Sequence, residues 1–353
     1  MRSSIPTLTR QVFFGATLGL CAAVASAAAP KEQQAIVQNG NGGPEVLKVQ
    51  TVPVLEPSDG QVLIRVYAAA VNPTDWRARA GTPGNATAAT VRPSIPGGDV
   101  AGVVEKLGAG VTTLKVGDPV FAVIARVAGV LNGGYSQFVV ASVANVGAKP
   151  AGMTYAEAAG LGIATLTGVW AVNETRLAKG TRVLITGVAG GVGSAAAQAA
   201  KARGAYVIGT ASAQHNAYLK SIGVDEVIDY TKVRFEDKAK NVDAVIDTVG
   251  SDTAVRALGL LKKGSLFISL AAHDLDAQCA AAGVTCVGHA SAAELPRAIY
   301  DEVGRLAGAG SIRVKVDRAF PLEQAGQAQV FGEQGHTEGK IVLTVDAAQA
   351  GRQ

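Results

Sequence analysis

Residues 182–201 read RVLITGVAGGVGSAAAQAAK, and this stretch decides the fold. An apolar strand segment leads into a glycine-rich loop, and an alanine-rich helix segment follows directly. Such a loop presents unpaired backbone N–H groups and the positive end of a helix dipole, which together bind a pyrophosphate. Gly190 and Gly191 would let the phosphates approach, and Gly193 would let helix and strand pack closely. The stretch therefore predicts a βαβ unit that binds a dinucleotide.

The sequence on either side of this loop has two different patterns. Up to about residue 149, short strands are punctuated by Gly and Pro, which predicts a partly open β-barrel. From Thr154 onward strands and helices alternate, which predicts a doubly wound parallel sheet covered on both faces. Thr154 and Glu157 have capping-box spacing and begin a predicted helix that ends near Val172. After about residue 290, one more helix and a final strand at 340–345 are expected to return to the first domain.

Composition narrows the class of function. The 353 residues are 48% hydrophobic and 17% charged, which suits two domains with cores and argues against disorder. The net charge of +4 is scattered along the chain without dense basic blocks, so no nucleic-acid partner is expected. Four His and three Cys occur without CxxC or HExxH spacing, which argues against a built-in zinc site.

The first thirty residues are predicted to lie outside the fold. Arg2 and Arg10 bracket a polar start, an apolar run follows at 12–24, and small residues come next. This order is typical of a secretory signal peptide, here residues 1–27 with cleavage after Ala27. The sequence therefore predicts a periplasmic or secreted protein with no membrane span after cleavage. The alternative is a cytoplasmic protein whose signal is not used.

Cleavage would leave two cysteines, Cys279 and Cys286, in the mature chain. An oxidising compartment would permit a disulfide between them, but spacing alone does not establish the required Cα separation. Two buried free thiols are the alternative, and the sequence leaves both open.

The residues after the second strand of the unit indicate which dinucleotide binds. An NAD site usually has Asp or Glu about 20 residues beyond the glycine loop, where it binds the ribose hydroxyls. Here the strand ends at Thr210-Ala211-Ser212, and no acidic residue occurs before Asp225. Neutral Ser212, with His215 nearby, leaves room for a 2′-phosphate, so the expected cofactor is NADP(H). The alternative for His215 is a solvated position on a helix.

Five segments outside the glycine loop carry a family resemblance. They read AAAVNPTDW at 68–76, IPGGDVAGVV at 95–104, VGDPVF at 116–121, GGYSQF at 133–138 and GHTEGKIVL at 335–343. With them, the sequence resembles the zinc-independent quinone-oxidoreductase branch of the medium-chain dehydrogenase/reductase superfamily over about 35–345. The resemblance implies a GroES-like domain from 35–155 and 293–347, a Rossmann domain from 156–292, and a cleft between them. It also implies a dimer or a tetramer, of which we expect the homodimer.

The resemblance also implies roles for particular residues. Zinc-dependent relatives carry their ligands at the positions of Asn72, Gly98 and, approximately, Ile163, so a site without metal is implied here. Asn72 and Thr167 match positions that face the nicotinamide and the substrate, and they are the expected catalytic residues. The expected cofactor-binding residues, with Ser212 added for the 2′-phosphate, are Ala189, Gly190, Gly191, Val192, Ser212, Tyr230, Ser269, Leu270, Ala271 and Arg77.

The expected reaction follows from the lack of zinc. Without a Lewis acid nothing would polarise an alcohol, so alcohol oxidation is disfavoured. A quinone or an α,β-unsaturated carbonyl suits the site better, because it accepts hydride and spreads negative charge onto an oxygen that a donor can stabilise. We expect an NADPH-dependent quinone or enone reductase in which Asn72 assists and solvent supplies the proton. The alternatives are an exported, non-catalytic dinucleotide-binding or sensor protein on the same fold, and RNA binding through a basic surface.

Overall fold

The structure is a computed structural model that describes residues 29–82, 91–271, 274–288 and 291–353, so the predicted signal peptide lies outside the described residues. The strands are β1 (Glu32–Gln38), β2 (Leu47–Pro53), β3 (Gln61–Val71), β4 (Asp99–Leu107), β5 (Pro119–Val123), β6 (Phe138–Ser142), β7 (Val146–Ala148), β8 (Arg182–Thr186), β9 (Tyr206–Ala211), β10 (Glu226–Asp229), β11 (Ala244–Asp247), β12 (Leu266–Ser269), β13 (Thr285–Val287), β14 (Val316–Pro321) and β15 (Lys340–Thr344). The α-helices are α1 (Pro73–Ala80), α2 (Tyr155–Ala159), α3 (Leu166–Glu174), α4 (Gly191–Ala202), α5 (Asn216–Ser221), α6 (Phe235–Lys238), α7 (Ser251–Leu258), α8 (Asp276–Ala282), α9 (Arg297–Gly308), α10 (Ala325–Glu333) and α11 (Ala347–Ala350). Within these ranges, no helix has the length and apolar character needed to cross a membrane.

Six strands form a parallel sheet in the order β10-β9-β8-β11-β12-β13. Counted from β8 this is the order 3-2-1-4-5-6 of a doubly wound dinucleotide-binding sheet. β8 and β11 are the central strands, and they are almost wholly buried because helices cover both faces. The strand order reverses between them, so the glycine loop that follows β8 lies at the switch point, where ligands of such sheets bind.

The larger sheet has the order β14-β15-β3-β4-β5-β7, with β6 also paired to β3. All of its strand pairs are antiparallel except β14 with β15. The two C-terminal strands therefore add to a sheet that the first part of the chain begins. The predicted fold class, a doubly wound parallel sheet with a second β-domain, is confirmed, whereas the domain boundaries stay a prediction.

The predicted continuous helix from Thr154 to about Val172 is interrupted. The capping box is present, since Glu157 N donates to Thr154 Oγ1 at 3.2 Å and Thr154 N donates to Glu157 Oε2 at 2.7 Å. A π-helical turn (Leu161–Thr165) then separates α2 from α3, and Gly162 leaves helical geometry with ψ −128°. The cause is tertiary, because a Cβ on Gly162 would lie 2.2 Å from the Oδ1 atom of Asp99.

The C-terminal part contains more elements than the single helix and single strand expected. In the described residues after 290 there are α9, α10, α11 and both β14 and β15. β14 escaped prediction because its sequence, VDRAFP, is polar, and its pairing with β15 is interrupted by a register shift between Val316 and Arg318.

The two cysteines of the expected mature chain are joined in the structure. A disulfide links Cys279 on α8 to Cys286 on β13, with 6.0 Å between the Cα atoms. The sequence left a disulfide and two free thiols open, and the structure has the disulfide. The bond links α8 covalently to an edge strand of the parallel sheet.

Candidate active site

The glycine loop lies between β8 and α4, and its glycines serve different purposes. A Cβ on Gly193 would lie 2.5 Å from the carbonyl oxygen of Gly187, which is the close helix packing that the sequence indicated. A Cβ on Gly190 would meet nothing nearer than that same oxygen, at 3.6 Å, so this position faces open space. Gly191 differs from the expectation, because its Cβ would point into the protein, 2.9 Å from Cδ of Lys340. The approach to the loop is therefore over Gly190.

Two crevices lie at the carboxyl edge of the parallel sheet. The inner crevice, about 380 Å³, is lined by Gly187, Ala189, Gly190, Thr210, Ala211, Ser212, His215, Tyr230, Gly335, His336 and Thr337. The outer crevice, about 500 Å³, is lined by Gly187, Thr210, Tyr230, Thr231, Lys232, Val233, Arg234, Phe235, Val249, Thr253 and Arg256. Of the expected cofactor contacts, Ala189, Gly190, Ser212 and Tyr230 come together on the inner crevice, and Tyr230 lines both.

Charged and ionisable groups surround the Ser212 end of the inner crevice. His215 Nδ1 lies 3.3 Å from Glu338 Oε1, and the other oxygen of Glu338 pairs with Lys315. Burial is the main cause that lowers the pKa of His215. The charge of Asp317 offsets part of this shift, and repulsion from His336 and Lys315 adds to it. The imidazole is therefore neutral at pH 7, and Lys315 pairs with Glu338, one of the acidic groups near it.

Asn72, Asp99 and Lys340 form a buried polar cluster. Asn72 Nδ2 donates to Asp99 Oδ2 at 2.8 Å, and Lys340 Nζ donates to Asn72 Oδ1 at 2.6 Å. Lys340 Nζ also lies 3.7 Å from Asp99 Oδ2. Burial raises the pKa of Asp99 and lowers the pKa of Lys340, and in each case the opposite charge of the partner offsets part of the shift. Asn72 was predicted as a site residue, whereas Lys340 was missed.

The cluster is connected to the glycine loop through the backbone. Gly339 N donates to the carbonyl oxygen of Ala189 at 3.0 Å, and Gly339 pairs with Gly190 in a parallel bridge. Ile163 N donates to Asp99 Oδ1 at 2.7 Å, which joins the π-helical turn to the same cluster. The only sequence signal for Lys340 was its place directly after Gly339 in the segment at 335–343.

The backbone of Asn72 is held by a second buried group. Asp75 Oδ2 accepts from Asn72 N at 2.9 Å and from the hydroxyl of Tyr135 at 3.1 Å, and Arg126 forms an ion pair with the same carboxylate. Burial, and next the charge of Asp75, raise the pKa of Tyr135, so its hydroxyl stays protonated as a donor. Asp75 thus caps α1 and fixes the turn from which Asn72 projects.

Thr167 lies on α3 with its side chain buried. Its Oγ1 atom has no hydrogen-bond partner, although the residue is only 3% exposed. The neighbouring Gly168 packs on the start of α4, since a Cβ there would lie 2.8 Å from the carbonyl oxygen of Val192. A buried hydroxyl without a partner is costly in free energy, and this one lies next to the helix that begins in the glycine loop.

Val192 lies in the first turn of α4, but it does not line either crevice. The other expected residues divide into two groups. Ser269 ends β12 at the carboxyl edge, and Leu270 and Ala271 follow it; Leu270 N donates to the carbonyl oxygen of Asp247 on β11 at 2.9 Å. Arg77, in contrast, is exposed on α1, and its side chain has no hydrogen bond or ion pair with any described residue. The structure does not bring Arg77 together with the rest.

Comparisons with known proteins find similar sequences and similar solved structures. The sequence model of the alcohol dehydrogenase GroES-like domain matches residues 58–151, and that of the zinc-binding dehydrogenase family matches residues 222–343. An NADPH-dependent alkenal/one oxidoreductase of Arabidopsis thaliana chloroplasts is 34% identical over 330 residues, which cover 90% of this chain and 81% of the relative. A mitochondrial NAD(P)H oxidoreductase of Mus musculus is 33% identical over 328 residues, covering 81% of this chain and 82% of the relative. The solved structure of a quinone oxidoreductase from Coxiella burnetii superposes with a TM-score of 0.82 at 32% identity, covering 89% of this chain and all of that one.

These comparisons correct the predicted location. The expectation of a periplasmic or secreted protein is wrong, because the relatives whose names state a compartment are mitochondrial and chloroplastic. The first thirty residues contain Arg2 and Arg10 and no acidic residue. That composition does not distinguish a secretory signal from an organelle transit peptide, which is also basic and poor in acidic residues.

Proposed function

The chain belongs to the medium-chain dehydrogenase/reductase superfamily, in the branch of the quinone oxidoreductases and alkenal/one reductases, and from this premise we propose that it is an NADPH-dependent reductase of quinones or enones. The observation that carries the proposal is the open face of Gly190 beside the inner crevice, at the switch point of the parallel sheet. The buried cluster of Asn72 adjoins this loop through Gly339.

A zinc ion does not fit the residues present. Zinc takes Cys, His or carboxylate ligands, but the three ligand positions of zinc-dependent relatives hold Asn72, Gly98 and Ile163. These positions do converge, since a Cβ on Gly98 would lie 2.6 Å from Cδ1 of Ile163. The ammonium of Lys340, 2.6 Å from Asn72 Oδ1, would repel a metal cation. The proposed reaction is therefore independent of zinc, and we derive no step through a metal.

A nicotinamide dinucleotide does fit. The loop over Gly190 would hold the pyrophosphate, and Tyr230 and Ser212 line the crevice for the adenosine half. The family resemblance assigns Thr167, whose hydroxyl has no partner among the described residues, to the nicotinamide half. We propose NADP(H) over NAD(H), because Ser212 stands where an acidic residue would bind the ribose hydroxyls. His215 lines the same crevice, and its ring can offer a hydrogen bond to a 2′-phosphate.

The protein's own residues would then act on the acceptor. The bound dinucleotide supplies a hydride. Asn72 donates an N–H to the carbonyl oxygen of the acceptor and stabilises the negative charge that develops there. Solvent delivers the proton, since the ionisable groups of the cluster, Asp99 and Lys340, are already engaged with each other and with Asn72. The chain contributes mainly by positioning the acceptor and by that one hydrogen bond.

The experiment that tests the proposal has two parts. Calorimetric titration with NADPH and with NADH measures whether a dinucleotide binds and which one is preferred. The loss of absorbance at 340 nm is then followed with a panel of quinones, enals and enones. We expect tighter NADPH binding and turnover with at least one acceptor class. If no acceptor in the panel is reduced, the proposed reductase activity is contradicted. If neither dinucleotide gives a heat of binding, the proposed cofactor is contradicted as well.

We also carry the homodimer forward as a proposal. Within the described sheet, β13 is an edge strand with backbone groups unpaired on one side, which is a surface that a second copy can satisfy. Light scattering coupled to size-exclusion chromatography gives the mass, and a monomer at micromolar concentration would contradict the proposal.

A further inference from the structure

Lys340 is a fully engaged cation inside the protein. The residue is 5% exposed, and its Nζ atom faces three acceptors: the Val71 carbonyl oxygen at 3.2 Å, Asn72 Oδ1 at 2.6 Å and Asp99 Oδ2 at 3.7 Å. Two of the ammonium N–H bonds are donated to Val71 and Asn72, and Asp99 at 3.7 Å is an ion-pair partner. The side chain is also packed along its stem, since Cβ atoms built on Gly191 and Gly160 would lie 2.9 and 3.2 Å from it.

The consequence concerns the carboxamide of Asn72. Its oxygen accepts from Lys340, and one of its two N–H bonds donates to Asp99. Turning the amide over would place an NH₂ group against the ammonium and an oxygen against the carboxylate, so both contacts would become repulsive. The Lys340–Asp99 pair therefore permits one orientation of the amide. In that orientation the second N–H of Asn72 has no acceptor among the described residues.

We propose that Lys340 is a positioning residue of the reductase site, which with Asp99 holds the Asn72 carboxamide so that a free N–H is always presented to the acceptor carbonyl. This inference rests on the proposed function. It assigns the buried ion pair a role in catalysis through Asn72, and it makes the site selective for ligands with a hydrogen-bond acceptor.

The test removes the pair while keeping the cluster neutral. Lys340→Met alone would leave Asp99 as an unpaired buried charge, so the main variant is Lys340→Met with Asp99→Asn. In it, Ile163 N–H still needs the oxygen of residue 99, which turns the new NH₂ toward Asn72 and favours the reversed amide. Exposed Lys262→Met is the matched control for loss of a lysine, and Asn72→Ala is the reference for loss of the donor.

We expect the double variant to lower kcat for 2-cyclohexenone by about 10²-fold, the scale for losing one donor to a developing oxyanion. The calorimetric Kd for NADPH should stay within about threefold of wild type. The KM for the enone should rise by no more than about tenfold, the share of the contact already made in the ground state, so most of the loss falls on kcat. When Asn72→Ala is already present, adding the two substitutions should change kcat by less than about threefold. Lys262→Met should match wild type throughout.

Three results would overturn the proposal. The first is a double variant with kcat within about threefold of wild type, and the second is multiplicative losses in the triple variant. The third is loss of cooperative unfolding in the double variant, which would make the pair a requirement of folding and not of orientation. Binding of saturated cyclohexanone to the NADP⁺-loaded protein gives a readout without turnover, and we expect it to weaken about tenfold in the double variant. If wild type binds NADPH and cyclohexanone but reduces no acceptor, the proposed function fails while the placement of Asn72 by Lys340 is still measured.

Discussion

Replacing Gly190 with alanine separates cofactor binding from folding, and Gly193→Ala is the matched contrast. At Gly190 the backbone is extended (φ −71°, ψ 170°), and the nearest atom to an added Cβ is the Gly187 oxygen at 3.6 Å. Alanine fits there without strain, so the free energy of unfolding should stay within about 1 kcal/mol of wild type. At Gly193 the Cβ would lie 2.5 Å from the same oxygen, and relieving that contact should cost about 1–3 kcal/mol.

The effect on binding follows from what Gly190 lines. Its methyl group would enter the inner crevice, over the loop whose amides are expected to hold the pyrophosphate. Losing one hydrogen bond to a charged phosphate costs about 1.5–3 kcal/mol. That loss corresponds to a Kd about 10- to 150-fold weaker. We therefore expect Gly190→Ala to be a stable protein that binds NADPH poorly.

Two measurements check this reasoning. Urea denaturation compares the free energies of unfolding of wild type, Gly190→Ala and Gly193→Ala, and calorimetry gives the NADPH Kd of each folded variant. A Gly190→Ala protein that retains the wild-type Kd would refute the pyrophosphate placement. If it is instead destabilised as much as Gly193→Ala, the geometry of the loop is wrong.

Three further outcomes are expected. Thr167→Val removes the unpartnered hydroxyl at constant volume, so unfolding free energy should be unchanged or raised by up to about 1 kcal/mol while calorimetry shows NADPH binding weakened about 2- to 10-fold. Cys279→Ser with Cys286→Ser opens a short loop, which by chain entropy should lower the unfolding free energy by about 2.4 kcal/mol in urea; no loss would contradict a disulfide in the purified protein. Burial lowers the pKa of His215, so below about pH 6.5 the unfolded chain binds the proton more readily and stability falls as pH decreases. His215→Gln should reduce the loss of unfolding free energy between about pH 7 and 5. If the variant and wild type have the same pH profile of stability, the lowered pKa of His215 is contradicted.

The parts of the structure that sequence reasoning predicted are those with local causes. The strand, loop and helix from 182 to 202 were assigned correctly because an apolar run, the glycines and the alanines all specify the same local structure. The break at Gly162 was missed because its cause, the carboxylate of Asp99, comes from a strand far away in sequence. A pattern read along the chain contains no information about such a contact.

Lys340 shows the same limit at the site. Its neighbours, GKIVL, predict a strand, and a lysine at the start of a strand is ordinarily a solvated residue. Only the fold brings Asp99 and Asn72 against it and makes burial of the charge affordable in free energy. Asn72 and Thr167 were named through family resemblance, and composition or spacing alone would not have found them.

One dipeptide links the two halves of the proposed site. The backbone of Gly339 donates to Ala189 in the glycine loop, and the side chain of the next residue, Lys340, holds the Asn72 carboxamide. Gly339 has φ +88°, and a Cβ at this position would lie 2.3 Å from the Lys315 oxygen, so a residue with a side chain does not fit here without strain. The separation between the proposed pyrophosphate loop and the proposed donor on Asn72 therefore depends on the position of this dipeptide. In a reductase that binds its acceptor without a metal, the protein's own contacts must align the acceptor with the hydride donor. This dipeptide would contribute to that alignment, because it contacts both halves of the proposed site.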